Sequence, residues 1–141
     1  MHFSNVNLLS VLAAGIATMI LGFVWYSPAL FAKPWMREMG YDLNDKAKLK
    51  EMQKSAGPTY GIAFLAGLVS AFMLGKILSI TPIDTALYGM KLGFGVWLGF
   101  VATVQLTGAL FMKSSMKLFA INTGYQLVCY LVMGAILAVW K

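Results

Sequence analysis

The sequence predicts an all-α transmembrane protein, a four-helix bundle with a short amphipathic helical connection between its first two spans. Four apolar stretches each approach the roughly 20 residues that a helix needs to cross a hydrocarbon core of about 30 Å. Hydrophobic residues make up 60% of the 141 residues and charged residues 11%, whereas a soluble domain carries about 25% charged residues. The mean hydropathy of +0.75 agrees with this composition. A single transmembrane domain is therefore expected over residues 1–141.

The first two predicted spans cover about residues 6–26 and 58–80. No basic segment precedes Val6, and the apolar run that follows is longer than the roughly 7–15 residues of a signal-peptide core. We therefore expect the first span to be retained rather than cleaved. The second span is expected to begin at Gly57 and Pro58, because proline is well suited to the first position of a helix.

The last two predicted spans cover about residues 85–112 and 118–140. Thr81, Pro82 and Asp84 combine an N-cap hydroxyl, a proline at the first helical position and an acid at the third. The third helix is therefore expected to begin near Pro82, ahead of its fully apolar part.

The connection over residues 27–57 is the only sizeable segment outside the predicted spans. Ser27 and Pro28 predict a short helix that runs to Gly40 and is kinked or restarted at Pro34. Asp42 then introduces a second predicted helix over residues 43–55. Its basic stripe contains the candidate lipid-headgroup contacts Lys46, Lys50 and Lys54. The stripe suits either a helix lying on an anionic leaflet or a solvated charged helix supported by an Asp42–Lys46 pair.

The distribution of basic residues predicts the orientation. Eight of the eleven lie in the first and third connections, at Lys33, Arg37, Lys46, Lys48, Lys50, Lys54, Lys113 and Lys117. Because basic residues favour the cytoplasmic side, both termini are expected outside and the 27–57 connection in the cytoplasm. Lys76 and Lys91 belong to the opposite side, and their side chains are expected to snorkel outward.

Small residues recur at every fourth position in three spans and predict close helix packing. The sets are Ser10, Ala14, Thr18 and Gly22 in the first span, Ala63, Gly67, Ala71 and Gly75 in the second, and Gly95, Gly99, Thr103 and Thr107 in the third. The fourth span carries a polar stripe that is expected to face protein, because lipid offers polar groups no partner. This stripe begins with Asn122 and Gln126.

Two groups of side chains are candidate sites. The polar groups expected within the membrane are Gln105, Thr107, Asn122 and Gln126; such groups line solute paths or join helices through hydrogen bonds worth about 1 kcal/mol each. The aromatic cluster of Trp25, Tyr26 and Trp35 suits anchoring at the headgroup level, with an aromatic ligand cage as the alternative.

The residue types needed for common chemistries are scarce. The chain has one cysteine and one histidine, Cys129 and His2, so we expect no metal site, no haem or iron–sulfur group and no other cofactor. No catalytic residue is predicted, because the spans offer no nucleophile–base pair and no paired carboxylates. We therefore expect neither an enzyme nor a nucleic-acid-binding protein.

Two sequence blocks resemble the signatures of a known family. The first is LGFVWYSPALF at residues 21–31, followed by KPWM at 33–36, and the second runs from KLF at 117–119 through INTGYQL at 121–127 to MGAIL at 133–137. They are similar to those of the bacterial domain-of-unknown-function family seventeen sixty-one. The resemblance implies a small multi-span protein of the bacterial inner (plasma) membrane and supplies no mechanism.

Two classes of function are compatible with these features. The first is a non-enzymatic membrane module that interacts with lipids or a protein partner through the 27–57 connection and forms homo-oligomers. The alternative is a small-solute permeation or transport subunit that uses the face formed by Gln105, Thr107, Asn122 and Gln126.

Overall fold

The computed structural model describes residues 6–141, and all of its regular secondary structure is helical. The elements are α1 (Leu8–Trp25), α2 (Ala32–Glu38), α3 (Lys46–Ser79), α4 (Ala86–Val96), a π-helical segment (Trp97–Ala102), α5 (Thr103–Phe111) and α6 (Met116–Val139). Helical stretches over residues 8–25, 46–79, 86–111 and 116–139 are long and apolar enough to cross a membrane. The predicted fold class, an all-α protein with four membrane-spanning helices, is confirmed.

The connection helix and the second span form one continuous helix, α3, with Pro58 in its interior. The prediction of a new helix at Gly57 and Pro58 was therefore wrong, as was the end of the connection helix at Ser55. Proline removes one backbone hydrogen bond and crowds the carbonyl of residue i−4. The residues next to Pro58, among them Gly57, Thr59 and Gly61, are weak helix formers, so local propensity does not explain why the helix continues. The predicted start of the connection helix at Asp42 was also wrong, because α3 begins at Lys46 and its cap is Asp45, which accepts a hydrogen bond from the Lys48 amide at 3.2 Å.

Two hydroxyl side chains end a helix where the sequence predicted that each would begin one. The Ser27 hydroxyl donates to the Val24 carbonyl at 2.7 Å, and the Thr81 hydroxyl donates to the Leu78 carbonyl at 3.0 Å. As a result α2 begins at Ala32 rather than at Pro28, and α4 begins at Ala86 rather than near Pro82. Ser and Thr hydroxyls donate to carbonyls as readily as they accept from amides. A Ser or Thr near a helix boundary therefore does not show whether a helix ends or begins there.

Helix α6 is the centre of the bundle, because it packs against α1, α3 and α4, while α1 also packs against α3. The buried core lies where α1, α3 and α6 meet, around Ala14, Leu74 and Met133. The third span, formed by α4, the π-helical segment and α5, packs mainly on α6 and leaves most of its surface exposed. The described bundle is thus a three-helix core with the third span attached along one side of α6.

Close packing occurs on the predicted faces of the first two spans. Ser10, Ala14 and Thr18 are buried, and a Cβ on Gly67 would lie 2.9 Å from the Thr18 hydroxyl oxygen. Ala71 is also buried, whereas Ala63 is exposed. The small-residue prediction therefore holds along α1 and along the C-terminal half of the second span.

The predicted packing face of the third span was wrong. Gly95, Gly99, Thr103 and Thr107 are all exposed, and the contact with α6 is made instead by Gly89 and Gly93. Gly95 lies about 200° around α4 from Gly93, so the predicted stripe already begins on the side away from α6. The π-helical segment Trp97–Ala102 follows, and its i→i+5 turn changes the direction only of the later residues.

Lys76 does not snorkel outward as predicted. Its side chain is only 2% exposed, because it lies in the last turns of α3 beside the buried Leu74 and Leu78. Lys91 behaves as expected of an exposed cation, with its ammonium nitrogen 4.9 Å from the centre of the Tyr88 ring. The Lys141 ammonium donates to the Thr81 carbonyl at 3.1 Å and so connects the C-terminus to the loop after α3.

Candidate functional site

Two aromatic side chains at the end of α1 bond to the first turns of α6. The Trp25 indole nitrogen donates to the Ile121 carbonyl at 3.0 Å, and the Tyr26 hydroxyl donates to the Asn122 side-chain oxygen at 2.7 Å. The Trp25 ring also lies against Gly124, where an added Cβ would be 3.2 Å from the indole. The polar atoms of Trp25 and Tyr26 are thus used between helices, whereas headgroup anchoring would direct them outward.

The aromatic cluster extends from α1 to the loop after α2. The Tyr26 ring meets the Trp35 ring edge-on at 6.0 Å between centres, and Trp35 stacks on Tyr41 at 6.1 Å. On its other side Tyr26 meets Tyr125 edge-on at 5.4 Å, and the Tyr125 hydroxyl donates to the Thr18 carbonyl at 2.8 Å. Edge-to-face pairs at these separations are favourable, so the cluster fixes α2 and its following loop to α1 and α6.

No hydrogen bond joins the four predicted intramembrane polar residues to one another within the described part of the chain. Asn122 and Gln126 share a face of α6, but Asn122 bonds to Tyr26 on α1. Thr107 is exposed, and its hydroxyl donates to the Thr103 carbonyl within its own helix at 2.9 Å. Gln105 is partly buried, and Gln126 is half-buried with no side-chain hydrogen bond to another described residue. The role of these residues stays a prediction.

A further contact between the third and fourth spans was missed by the sequence analysis. The Trp97 indole nitrogen, at the start of the π-helical segment, donates to the Thr123 carbonyl at 3.0 Å. Two buried oxygens in these spans, Gln105 Oε1 and Thr123 Oγ1, have no hydrogen-bond partner among the described residues. Buried polar atoms of this kind are uncommon. No sequence signal distinguishes Trp97 from an interfacial tryptophan, because its partner is a backbone carbonyl.

The predicted lipid contacts lie on the part of α3 that precedes the apolar span. Lys46, Lys50 and Lys54 are exposed and follow one face of the helix, called here the basic face. The Asp42–Lys46 pair proposed from the sequence is not formed among the described residues, since the Asp42 carboxylate instead accepts from the Asn44 amide at 2.9 Å. At about 1.5 Å per residue, Lys54 lies about 6 Å and Lys46 about 18 Å along the helix from Pro58.

Two open clefts accompany these features. One of about 720 Å³ lies between the loop after α2 and the first turns of α3, and it is called here the connection cleft. The other, of about 390 Å³, is an apolar groove between α1 and α3 lined by residues such as Leu12 and Phe72. Neither is lined by Gln105, Thr107, Asn122 or Gln126.

Four apolar helices joined by hydrogen bonds between their side chains and backbones define a multi-pass membrane protein. The family described as "Protein of unknown function (DUF1761)" matches residues 9–138. The chain therefore belongs to the DUF1761 family, as the two signature blocks indicated. No curated protein and no solved structure shows significant similarity to it.

Proposed function

We propose that this protein is a non-enzymatic helical module of the bacterial inner membrane that binds anionic lipid headgroups, and next to them an anionic protein partner, through the basic face of α3. The observation that carries the proposal is that Lys46, Lys50 and Lys54 are exposed and form no ion pair within residues 6–141, on a helix continuous with a span long and apolar enough to cross a membrane. A basic group beside the cytoplasmic surface contributes about 1 kcal/mol to binding of anionic lipid.

The continuous helix predicts unequal roles for the three lysines. Headgroup layers add about 5–7 Å to each side of the hydrocarbon core, and electrostatic attraction decays over about 8 Å at physiological ionic strength. Lys54 therefore lies within the headgroup layer, whereas Lys46 extends beyond it toward the solvent. The solvent end of the basic face is the part that an anionic protein would contact.

We expect Lys54→Gln to reduce retention of phosphatidylglycerol by about fivefold, Lys50→Gln to reduce it less, and Lys46→Gln to leave it nearly unchanged. The measurement is native mass spectrometry of protein released from nanodiscs, comparing phosphatidylglycerol with phosphatidylcholine. The matched control replaces all three lysines by arginine, which keeps the charge and should keep the lipid. If replacing all three lysines by glutamine leaves phosphatidylglycerol retention unchanged, the proposal is wrong. Equal effects of the three single variants would contradict the unequal distances of Lys54, Lys50 and Lys46 from the membrane.

The same measurement reports the oligomeric state. We propose homo-oligomers in which a second copy covers the exposed face of the third span, where Gly95 and Gly99 have no neighbour within 4 Å of an added Cβ. Glycine in a helix interior costs about 1 kcal/mol relative to alanine, so two such positions on an open face favour a contact there. If only monomer masses are observed when the protein is released gently from the nanodiscs, the result would argue against a second copy at this face.

The proposal also requires the 27–57 connection to lie in the cytoplasm, as the charge distribution predicts. In a Cys129→Ala background, we expect Asp84→Cys and Lys141→Cys to react with a membrane-impermeant maleimide on intact cells. Lys50→Cys and Lys117→Cys should react only after the membrane is opened. The reverse pattern would place the basic face outside and exclude the proposed cytoplasmic partner.

A solute-permeation subunit is the second candidate function. It is favoured by the two buried oxygens without partners, Gln105 Oε1 and Thr123 Oγ1, because a permeating polar solute could supply the missing hydrogen bonds. It is disfavoured by Asn122, whose side-chain oxygen already accepts from Tyr26. The coupling energy between Asn122 and Tyr26 therefore bears directly on the choice.

A further inference from the structure

The connection cleft has the size of a small-molecule site and lies outside the apolar spans. Its volume of about 720 Å³ falls within the roughly 300–1,000 Å³ of typical ligand pockets. One wall is the loop after α2, which contributes Tyr41 and Asp42, and the other is the start of α3, which contributes Lys48, Glu51 and Met52.

Both walls of the cleft are held in place. Gly40 has a positive φ of 87°, a backbone conformation that glycine adopts without strain, and it turns the chain back toward α3. The Tyr41 amide then bonds to the Met36 carbonyl at 2.9 Å, while the Tyr41 ring stacks on Trp35. On the other side, Asp45 caps the first turn of α3. A site with walls fixed in this way binds without a large ordering cost.

Charges of both signs line the cleft without neutralising one another. Asp42, Lys48 and Glu51 are exposed, and none of them forms an ion pair within the described part of the chain. One Asp42 oxygen accepts from the Asn44 amide, which leaves the other oxygen available. Given about 100° per residue, Lys48 lies roughly opposite the basic face of α3, and Glu51 lies about a quarter turn from the centre of that face.

We propose that the connection cleft binds a phosphoethanolamine group, with its ammonium between Asp42 and Glu51 and its phosphate at Lys48. A simple anion would be repelled by the two carboxylates, and a simple cation by Lys48 and the neighbouring basic residues. A zwitterion satisfies both signs, and a primary ammonium donates charge-assisted hydrogen bonds to carboxylates. Lys48 lies about 15 Å along α3 from Pro58, beyond the roughly 5–7 Å of the headgroup layer, so the expected occupant is the free phosphomonoester rather than a lipid headgroup.

The test compares binding of O-phosphoethanolamine with that of O-phosphocholine, whose quaternary ammonium has no hydrogen to donate. In native mass spectrometry of protein released from nanodiscs, we expect the wild-type protein to bind O-phosphoethanolamine preferentially. Asp42→Asn, Glu51→Gln and Lys48→Gln should each lower that preference by about two- to fivefold, the range for exposed charge pairs. Asparagine at position 42 keeps the acceptor for the Asn44 amide, so the loop is preserved.

Glu38→Gln and Lys33→Gln are the matched controls, because they remove the same charges at positions outside both the cleft and the basic face. Preferential retention of phosphatidylethanolamine over phosphatidylcholine, with no binding of the free compound, would assign the cleft to a lipid and contradict the proposed occupant. Equal binding of the two free compounds would overturn the proposal, as would equal effects of Lys48→Gln and Lys33→Gln. This test uses soluble zwitterions, so its failure is distinguishable from failure of anionic-lipid binding at the basic face.

Discussion

Replacing Gly93 by alanine is expected to lower the free energy of unfolding by about 1–3 kcal/mol or more, the usual cost of overpacking a helix contact. An added Cβ at Gly93 would collide with the backbone carbonyl of Tyr130 on α6. Backbone atoms cannot rotate away as a flexible side chain can, so α4 and α6 would have to separate. The measurement is reversible unfolding of the purified protein in mixed detergent micelles.

Gly108→Ala is the matched control on the same span. No atom lies within 4 Å of a Cβ at Gly108, so alanine there should leave the stability unchanged or raise it by up to about 1 kcal/mol. Equal losses at positions 93 and 108 would mean that helix flexibility, rather than the contact with Tyr130, determines the result. No loss at position 93 would contradict the packing of the third span on α6.

A double-mutant cycle of Tyr26→Phe and Asn122→Leu is expected to give a coupling energy of about 0.6 kcal/mol, and at most about 1.7 kcal/mol, as for interhelical hydrogen bonds in other membrane proteins. The reason is the 2.7 Å bond from the Tyr26 hydroxyl to the Asn122 side chain, which each single change removes. Unfolding in mixed micelles supplies the four free energies.

The corresponding cycle of Tyr26→Phe with Gln126→Leu serves as the control, because no hydrogen bond joins those side chains. Its effects should add within about 0.5 kcal/mol. Coupling at Asn122 alone would support its role in joining helices. If Asn122 shows no coupling, its amide is not engaged by Tyr26 in the membrane, and the solute-permeation function becomes the stronger of the two.

The candidate site was only partly predictable. Asn122 and Gln126 could be placed on one face of α6 from their spacing, and the three aromatic side chains could be grouped at one end of α1. Their partners could not be identified, because Trp25 and Trp97 bond to backbone carbonyls that every residue carries. The burial of Lys76 could not be predicted either, because a lysine near a helix end is compatible both with snorkelling and with burial.

The sequence also could not show which glycines of the third span pack against α6. Gly89 and Gly93 have the same four-residue spacing as Gly95 and Gly99, and sequence alone offers no reason to prefer one pair. The structure places the first pair against Gly134 and Tyr130 and leaves the second pair open. The choice depends on how α4 is rotated about its axis, which is set by its neighbour α6.

Length and apolar content are local properties of the chain, and they were sufficient to predict the all-α class and the four spans. The reason is that a bilayer requires long helices whose backbone groups are satisfied internally. The bonds of Ser27 and Thr81 are also local, to carbonyls three residues earlier, and their direction was missed because a hydroxyl both donates and accepts. Tertiary structure decided which glycines of the third span meet α6 and which carbonyls accept from Trp25 and Trp97. Each of these depends on a neighbouring helix, which the pattern of apolar residues does not encode. In lipid, where one apolar face is as well solvated as another, such contacts are what select the packed arrangement.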